Sequence, residues 1–226
     1  RSGEVVLKLF SGYQGALQTD GYERYELLDG RKGVMLLACW AHARRKFSDS
    51  IKNDKERAES ALDQIQLLYE VERQIKDQSL SFEDAAKLRE RLAYPIMVRF
   101  EKWLVAEHAK VIKGSPIEKA ILYTYNRFNK LSRYHLDGRY NIDNNGIENA
   151  ARPVAVGRKN YLFCQNDDTA ESTAIIYSLM GCCKAAEVDF RKWLIYFLDH
   201  VHDYDENYDK DIADLLPDNL RKAGIL

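Results

Sequence analysis

The sequence has no apolar run long enough to cross a membrane and no secretory signal. A bilayer-spanning helix needs ~20 consecutive apolar residues, and no apolar run in the 226 residues approaches that length. Residues 1–6 lack the architecture of a signal peptide. We therefore expect no membrane partner. The sequence also begins without methionine, so we interpret it as a fragment of a longer protein.

Cysteine is sparse, and its positions do not suggest a disulfide framework. Cys39 and Cys164 stand apart, whereas Cys182 and Cys183 are adjacent in a helix-like run. Small disulfide-rich domains of secreted proteins carry many more cysteines for their length, whereas cytosolic proteins keep their thiols reduced. A reducing cytoplasm is therefore the compartment that we expect.

The net charge is small, at −1, which argues against a uniformly basic protein that coats nucleic acid. Basic residues nevertheless cluster at Arg44-Arg45-Lys46 and at Arg158-Lys159, while residues 199–218 are rich in acids. This distribution is compatible with a protein that contacts phosphates on one face. Each basic cluster suits a solvated helix end equally well, so both interpretations stay open.

The start of the chain indicates an α/β arrangement. Residues 5–10 suggest a short strand or an amphipathic turn, and the residues from Gly15 onward a brief strand that ends in Asp20. Residues 34–40 are almost wholly apolar, as in a strand buried on both faces of a sheet. Open α/β sheets present functional carboxylates at the C-terminal ends of strands, where Asp20 stands. Alternatively, Asp20 only caps a short helix that follows it.

From about residue 53 to residue 134 the pattern changes to helix. Apolar residues recur every three or four positions and form one face; they are Leu62, Ile65, Leu68, Val71 and Ile75. A second helix opens with a capping box at Ser81, and Pro95 is expected to kink it. A third opens at Ser115, which is followed by a proline and then an acid. We interpret this block as an all-helical insertion.

A second acid, Glu148, follows a run of small polar residues that is typical of a helix start. Asp143 or Asn144 can cap this helix by accepting bonds from its first N–H groups, which places Glu148 about one turn inside it. Asparagine and glycine have poor helix propensity. The presence of these residues therefore indicates a role other than stabilising the helix.

The rest of the chain is predicted to be mostly helical. Residues 161–163 suggest a short extended piece, and a long helix is expected over residues 169–186, followed by another over residues 190–201. The residues of the long helix that we expect to be mostly buried are Ala174, Ile175, Tyr177, Ser178, Leu179, Cys182 and Cys183.

Asp20 and Glu148 are the two acids whose positions predict chemistry. Carboxylates that converge from separate elements bind Mg²⁺ or Mn²⁺, hard cations that prefer oxygen ligands. Two such metals activate a water or a DNA 3′-hydroxyl in phosphodiester chemistry. Two metals usually need a third carboxylate, and Glu4 is the only acid upstream of Asp20.

Four motifs stand in series along the chain. They are Gly15-Ala16-Leu17-Gln18-Thr19-Asp20-Gly21-Tyr22, Cys39-Trp40-Ala41-His42-Ala43-Arg44-Arg45-Lys46-Phe47, Ile142-Asp143-Asn144-Asn145-x-x-Glu148 and Arg152-Pro153-Val154-Ala155-Val156-Gly157-Arg158-Lys159-Asn160-Tyr161-Leu162-Phe163. In this order they closely resemble transposases of the insertion sequence 66 family. The similarity continues to Leu215-Leu216-Pro217 and so covers nearly the whole chain.

This resemblance implies a ribonuclease H-like catalytic domain with an Asp-Asp-Glu triad that uses divalent metal to cut and rejoin DNA. Asp20 matches the second acid and Glu148 the last, which places the first aspartate upstream of Arg1. We therefore expect a helix-dominated α/β chain with a partial ribonuclease H-like fold that lacks its first strands. The expected parts are the first part of the core (1–52), the helical insertion (53–137), the second part of the core (138–200) and an acidic C-terminal element (201–226).

Several residues of the motifs are candidates for contact with DNA. They are His42, Arg44, Arg45, Arg152, Arg158 and Lys159. His42 could instead orient a carboxylate, and Arg158 with Lys159 could form a simple surface turn. Cys39 and His42 also have a zinc-like spacing, but a second pair of ligands is missing. A buried strand cysteine followed by a histidine at a helix start is therefore the preferred interpretation.

Two functions remain open at this point. The first is a catalytic fragment of a bacterial, cytoplasmic DNA transposase, with Mg²⁺ or Mn²⁺ as cofactor of the intact protein and with transposon ends and target DNA as partners. This fragment is expected to be inactive alone because the first aspartate is absent. The alternative is a truncated, non-enzymatic product that acts in oligomerisation or regulation. A partial sheet leaves an unpaired edge and exposed apolar surface, so we expect a homo-oligomer.

Overall fold

Two short parallel strands form the sheet that positions Asp20. The computed structural model describes residues 3–161, 163–205 and 209–226. Its sheet pairs β1 (Gly15–Thr19) with β2 (Val34–Ala38), and the register runs from Gly15 opposite Val34 to the last residue of each strand. The C-terminal half of β2 is buried, as predicted for an apolar run of strand length. Both strands therefore end at the same edge of the sheet.

The chain divides into two compact units, Arg1–Gly146 and Ile147–Leu226. Helices of the first unit are α1 (Gly3–Leu9), α2 (Trp40–Ser50), α3 (Lys55–Asp77), α4 (Phe82–Leu88), α5 (Tyr94–His108), α6 (Pro116–Asn126) and α7 (Phe128–Ser132). Short 3₁₀ helices cover Glu23–Leu28 and Arg133–Leu136, and a π-helical segment covers Arg89–Ala93. This helix-dominated α/β composition confirms the predicted fold class in its broad form, whereas the ribonuclease H-like fold stays a prediction.

The second unit is helical where the structure describes it. Helix α8 (Asn145–Gly157) crosses the boundary between the units, and its first two residues belong to the first. The helices that follow are α9 (Asp167–Ala185), α10 (Phe190–His200), α11 (His202–Asp205) and α12 (Pro217–Lys222), with a 3₁₀ helix over Ile212–Leu215. Leu162, in the predicted extended piece, lies outside the described residues. The domain boundaries predicted at residues 52, 137 and 200 refer to parts of the expected catalytic fold and stay a prediction.

Helix starts in the insertion follow the predicted capping chemistry. The Ser81 hydroxyl accepts a 3.2 Å bond from the N–H of Asp84, and the Ser115 hydroxyl accepts a 3.3 Å bond from the N–H of Glu118. Each bond satisfies an N–H group that has no partner inside its own helix. Pro95 lies in the first turn of α5, directly after the π-helical segment. The backbone thus changes its helical pitch where proline removes a donor.

The core of the first unit is centred on Trp40 of α2. Its side chain is fully buried, and its indole Nε1 donates a 2.9 Å bond to the carbonyl oxygen of Leu131. The ring stacks on Phe100 and meets Phe128 edge-on, with centroid distances of 6.0 and 6.1 Å. Phe100 belongs to α5 and Phe128 to α7, so the predicted insertion and the α/β start share one hydrophobic core.

Two local predictions were wrong. Residues 5–10 fall mostly in α1 rather than in the strand or turn that was expected. Glu4 in its first turn and Lys8 in its last turn complement the helix dipole. Helix α9 has the predicted position, but Cys183 is its only buried residue, and Ile175 is 54% exposed. The small core of the second unit, built around Trp193, takes up only one stripe of α9.

Candidate active site

Asp20 follows β1 directly and is exposed. Its Oδ1 accepts a 2.9 Å bond from the backbone N–H of Tyr22, which precedes the 3₁₀ helix Glu23–Leu28. The alternative prediction was that Asp20 only caps the short helix that follows it, and this contact agrees with that prediction only in part. Tyr22 is the N-cap residue, and no side chain caps the helix itself. One carboxylate oxygen is thus engaged with the backbone.

The turn that carries Asp20 is held by the helical insertion. The Tyr123 hydroxyl donates a 3.2 Å bond to the carbonyl oxygen of Asp20, and the Arg127 guanidinium donates a 3.1 Å bond to the carbonyl oxygen of Gly21. Gly21 has φ 82°, and a Cβ there would lie 2.7 Å from Arg127 Nε. Glycine is therefore required both for the left-handed backbone and for the close approach of the arginine.

The segment that leads to Glu148 is fixed at the ends of both strands. Gln18 of β1 donates a 2.9 Å bond from Nε2 to the carbonyl oxygen of Asn141, and the Trp40 N–H donates a 3.1 Å bond to the carbonyl oxygen of Ile142. The N–H of Asn144 points to the Cys39 sulfur at 3.5 Å. Residues 141–144 therefore run along the sheet edge where β1 and β2 end and where Asp20 begins its turn.

Asp143 accepts a bond from the first N–H group of α8. Its Oδ1 accepts a 3.1 Å bond from the N–H of Asn145, and its Oδ2 accepts bonds from Asn145 Nδ2 at 2.9 Å and from the Tyr69 hydroxyl at 2.8 Å. Burial, followed by the nearby Asp143 carboxylate, raises the pKa of Tyr69, so the phenol stays protonated and donates. Of the two caps predicted, Asp143 makes the bond. Glu148 then lies half-buried in the first turn of α8.

The predicted site residues are divided between the two units. Asp20, His42, Arg44 and Arg45 belong to the first unit, and the remaining four belong to the second; these are Glu148, Arg152, Arg158 and Lys159. The three basic residues of the second unit are all exposed, and so are both arginines of α2. The convergence of Asp20 with Glu148 stays a prediction.

The donor set suits a hard cation but is incomplete. Asp20 and Glu148 offer carboxylate oxygens, which Mg²⁺ and Mn²⁺ prefer. Within the described ranges, however, no group of three or more histidine, cysteine, aspartate or glutamate side chains is placed to hold a metal ion. Cys39 is buried, and burial raises the pKa of its thiol, which disfavours the thiolate that zinc would need. These features favour the interpretation of Cys39 as a packed core cysteine.

Sequence reasoning missed the supporting residues that the insertion contributes. Tyr69, Tyr123 and Arg127 contact the Asp143 and Asp20 segments across 74 to 106 residues of sequence. Tyr69 follows the buried Leu68 on α3, and no short motif marks it as a partner of Asp143. Only the path of the chain brings these residues to the sheet edge.

Comparison with known proteins places these features in a family. The family model described as Transposase IS66 family matches residues 1–172. These residues include Asp20, Glu148 and the four motifs in series, but not Leu215-Leu216-Pro217. The chain belongs to the IS66 transposase family. No solved structure matches it, so the family assignment rests on sequence.

The curated relatives of this IS66-family chain are uncharacterized proteins. The proteins y4hP and y4jD of Sinorhizobium fredii are each 31% identical to it, over 99% and 89% of the chain and over 43% and 40% of their own lengths. The protein YuaK of Escherichia coli is 38% identical over 19% of the chain. The chain therefore spans about two fifths of the length of the Sinorhizobium relatives. In the part of the chain that the structure describes, no helix is long and apolar enough to cross a membrane.

Proposed function

We propose that this IS66-family chain is the catalytic part of a DNA transposase in which Asp20 and Glu148 hold a divalent metal ion. One observation carries the proposal most directly: the segment before Glu148 is bonded to Gln18, Trp40 and Cys39 at the ends of β1 and β2. Asp20 stands at this same edge. We propose that Glu148 joins Asp20 at this edge, since carboxylates contributed by separate elements are a typical arrangement for hard cations in phosphodiester chemistry.

Mg²⁺ or Mn²⁺ is the cofactor that we propose for the intact protein. When bound, such an ion polarises a phosphoryl oxygen and lowers the pKa of a bound water or hydroxyl. In this chain Asp20 and Glu148 supply oxygen ligands, and the bond from Tyr22 orients the Asp20 carboxylate. The family resemblance implies three acids in a ribonuclease H-like fold. Two are present here, and we propose that the chain does not cleave DNA by itself.

DNA is the substrate that we propose for the intact protein, both as transposon end and as target. The exposed basic residues of the two units fit contacts with backbone phosphates, because guanidinium and ammonium groups form charge-assisted bonds to phosphate oxygens. The exposed residues are Arg44 and Arg45 on α2, Arg152 on α8, and Arg158 and Lys159 after it; His42 on α2, which is half-buried, belongs to the same proposed set.

Calorimetric titration with Mn²⁺ and with Mg²⁺ tests the metal site. We expect saturable heat with the unmodified chain, and its loss in Asp20→Asn and in Glu148→Gln, because each substitution removes a charged ligand. Glu83→Gln is the matched control, since Glu83 is an exposed acid on α4 in the insertion. Circular dichroism verifies that each variant is folded. Absence of binding, or binding that neither substitution changes, would contradict the proposed site.

Nicking of supercoiled plasmid tests the proposed lack of activity. We expect no metal-dependent nicking by the chain alone, because two carboxylates do not complete a two-metal site. Efficient Mg²⁺-dependent nicking that Glu148→Gln abolishes would show that the chain is a complete enzyme.

A further inference from the structure

A cleft between α2 and α3 is lined by three arginines from two different parts of the sequence. Its volume is about 530 Å³, within the ~300–1,000 Å³ that ligand sites usually have. Arg44 and Arg45 come from α2, and Arg73 comes from α3 in the insertion. Gln66, Tyr69, Ser48, Ala41 and Asn145 complete the lining.

The described residues that line this cleft carry a net positive charge. Among the described residues, none that lines the cleft is acidic, and none of its three arginines forms an ion pair or a side-chain hydrogen bond. Asp143 lies beside the cleft and is bound by Tyr69 and Asn145, and its single negative charge leaves the three arginines in excess. Some arginines outside the cleft are paired: Arg57 with Asp54 and Glu107, and Arg89 with Glu72.

Three arginines line this one cleft in a chain with 35 acids and 34 lysines and arginines. Like charges that face one cleft repel one another, so their grouping favours an anionic ligand that is not part of the chain. Guanidinium groups bind phosphate through planar, bidentate contacts. The amide of Gln66 and the hydroxyl of Ser48 are further groups that bond to phosphate oxygens.

The cleft also has a fixed relationship to the start of α8. Asn145, the first residue of α8, lines it, and Tyr69 on its wall donates to Asp143. A ligand in the cleft therefore lies next to the segment that leads to Glu148. Helix α3 forms one wall, so the insertion takes part in this site through Arg73.

We propose that the α2–α3 cleft binds the phosphodiester backbone of DNA, with Arg73 of the insertion acting together with Arg44 and Arg45. This inference rests on the proposed function, because it assigns the DNA of that function to a surface. It extends the function by giving the insertion a direct contact with substrate. Backbone contacts of this kind fix the position of the duplex and carry no sequence preference.

Fluorescence anisotropy with a short labelled duplex, in EDTA and across a series of NaCl concentrations, tests the cleft without metal. We expect Arg73→Gln and Arg44→Gln each to weaken binding several-fold. The association constant falls as salt concentration rises, and each substitution is expected to reduce the steepness of this fall, on a log–log plot, by about 1. Arg99→Gln on α5 is the matched control: it makes the same charge change at an exposed arginine outside the cleft. We expect it to leave the slope unchanged.

The outcomes separate this inference from the proposed function. Equal effects of Arg73→Gln and Arg99→Gln, or no binding of duplex by the unmodified chain, would overturn the cleft assignment even if Mn²⁺ binds at Asp20 and Glu148. Arginine-dependent binding of DNA without any metal binding would support the cleft and overturn the metal site. Saturable binding of inorganic phosphate that displaces the duplex at constant ionic strength would instead identify a site for small anions.

Discussion

The hydroxyl of Tyr69 donates a 2.8 Å hydrogen bond to Oδ2 of Asp143, which joins the longest helix of the insertion to the turn that precedes α8. Both partners are half-buried. A hydrogen bond to a charged acceptor contributes about 1.5–3 kcal/mol. We therefore expect Tyr69→Phe, measured by urea denaturation, to lower the free energy of unfolding by an amount in this range.

The control for this prediction is Tyr125→Phe, since Tyr125 is 46% exposed and its loss is expected to cost less than about 0.5 kcal/mol. A double-mutant cycle with Asp143→Ala isolates the pair, and a coupling energy of about 0.5–3 kcal/mol is expected for residues in direct contact. Additive effects of the two substitutions would show that the bond does not stabilise the chain.

Local chemistry made much of the fold predictable. The cap at Ser115, the buried face of α3 and the strand β2 each depend on residues close together in sequence, and all three agree with the structure. The same holds for the bond that Asp143 accepts from the first N–H group of α8. In each case the sequence shows either a side chain that can bond to a nearby backbone group or a spacing of apolar residues that matches a helix or a strand.

The features that escaped prediction depend on distant parts of the chain. Exposed apolar residues of α9 cannot be distinguished from buried ones by spacing alone, because burial depends on how much core the second unit offers. Arg73 has an ordinary helical context, and only the packing of α3 against α2 brings it beside Arg44 and Arg45. Supporting contacts such as Tyr123 with Asp20 likewise join elements far apart in sequence.

Trp40 is the side chain on which the core of the first unit depends most. Replacement by phenylalanine leaves space beside Phe100 and Phe128 and leaves the Leu131 carbonyl oxygen without its indole donor. We expect Trp40→Phe to lower the free energy of unfolding by about 2–4 kcal/mol. Thermal or chemical denaturation measures this change.

The matched control is Trp103→Phe on α5. Trp103 also stacks on Phe100, at a centroid distance of 5.7 Å, but its side chain is only partly buried. Trp103→Phe is expected to lower the free energy of unfolding by clearly less than Trp40→Phe does. Equal losses at the two positions would show that the buried indole bond of Trp40 contributes nothing beyond ring packing.

The ion pair between Arg89 and the half-buried Glu72 is bidentate, with distances of 2.8 Å from Nε and 2.6 Å from Nη2 of Arg89. Arg89 is 3% exposed, and its Nη1 also donates to the carbonyl oxygens of Tyr134 and Asp137. Removing one partner leaves a buried charge uncompensated, which typically costs about 3–5 kcal/mol. We expect Glu72→Gln to lower the free energy of unfolding, measured by urea denaturation, by an amount close to that range.

Two comparisons sharpen this prediction. Glu83→Gln breaks an exposed pair with Lys87 on α4 and is expected to cost less than about 1 kcal/mol. The double variant Glu72→Gln with Arg89→Met is expected to be more stable than the sum of its single variants, because it removes the unpaired charge as well. A double variant as unstable as that sum would show that the π-helical segment needs Arg89 for its bonds to Tyr134 and Asp137 rather than for the pair.

Cys39 and Cys182 are expected to differ strongly in reactivity. Cys39 is 2% exposed and contacts the N–H of Asn144, and burial raises the pKa of its thiol, whereas Cys182 is exposed. Thiolate is the reactive form, so iodoacetamide at mildly alkaline pH is expected to modify Cys182 quickly and Cys39 only after denaturation. Peptide mass spectrometry measures both sites in one sample, and the same peptides from urea-unfolded chain give the reference rates. Rapid alkylation of native Cys39 would show that residues 141–144 separate readily from the ends of the strands, contrary to the contacts that fix the start of α8.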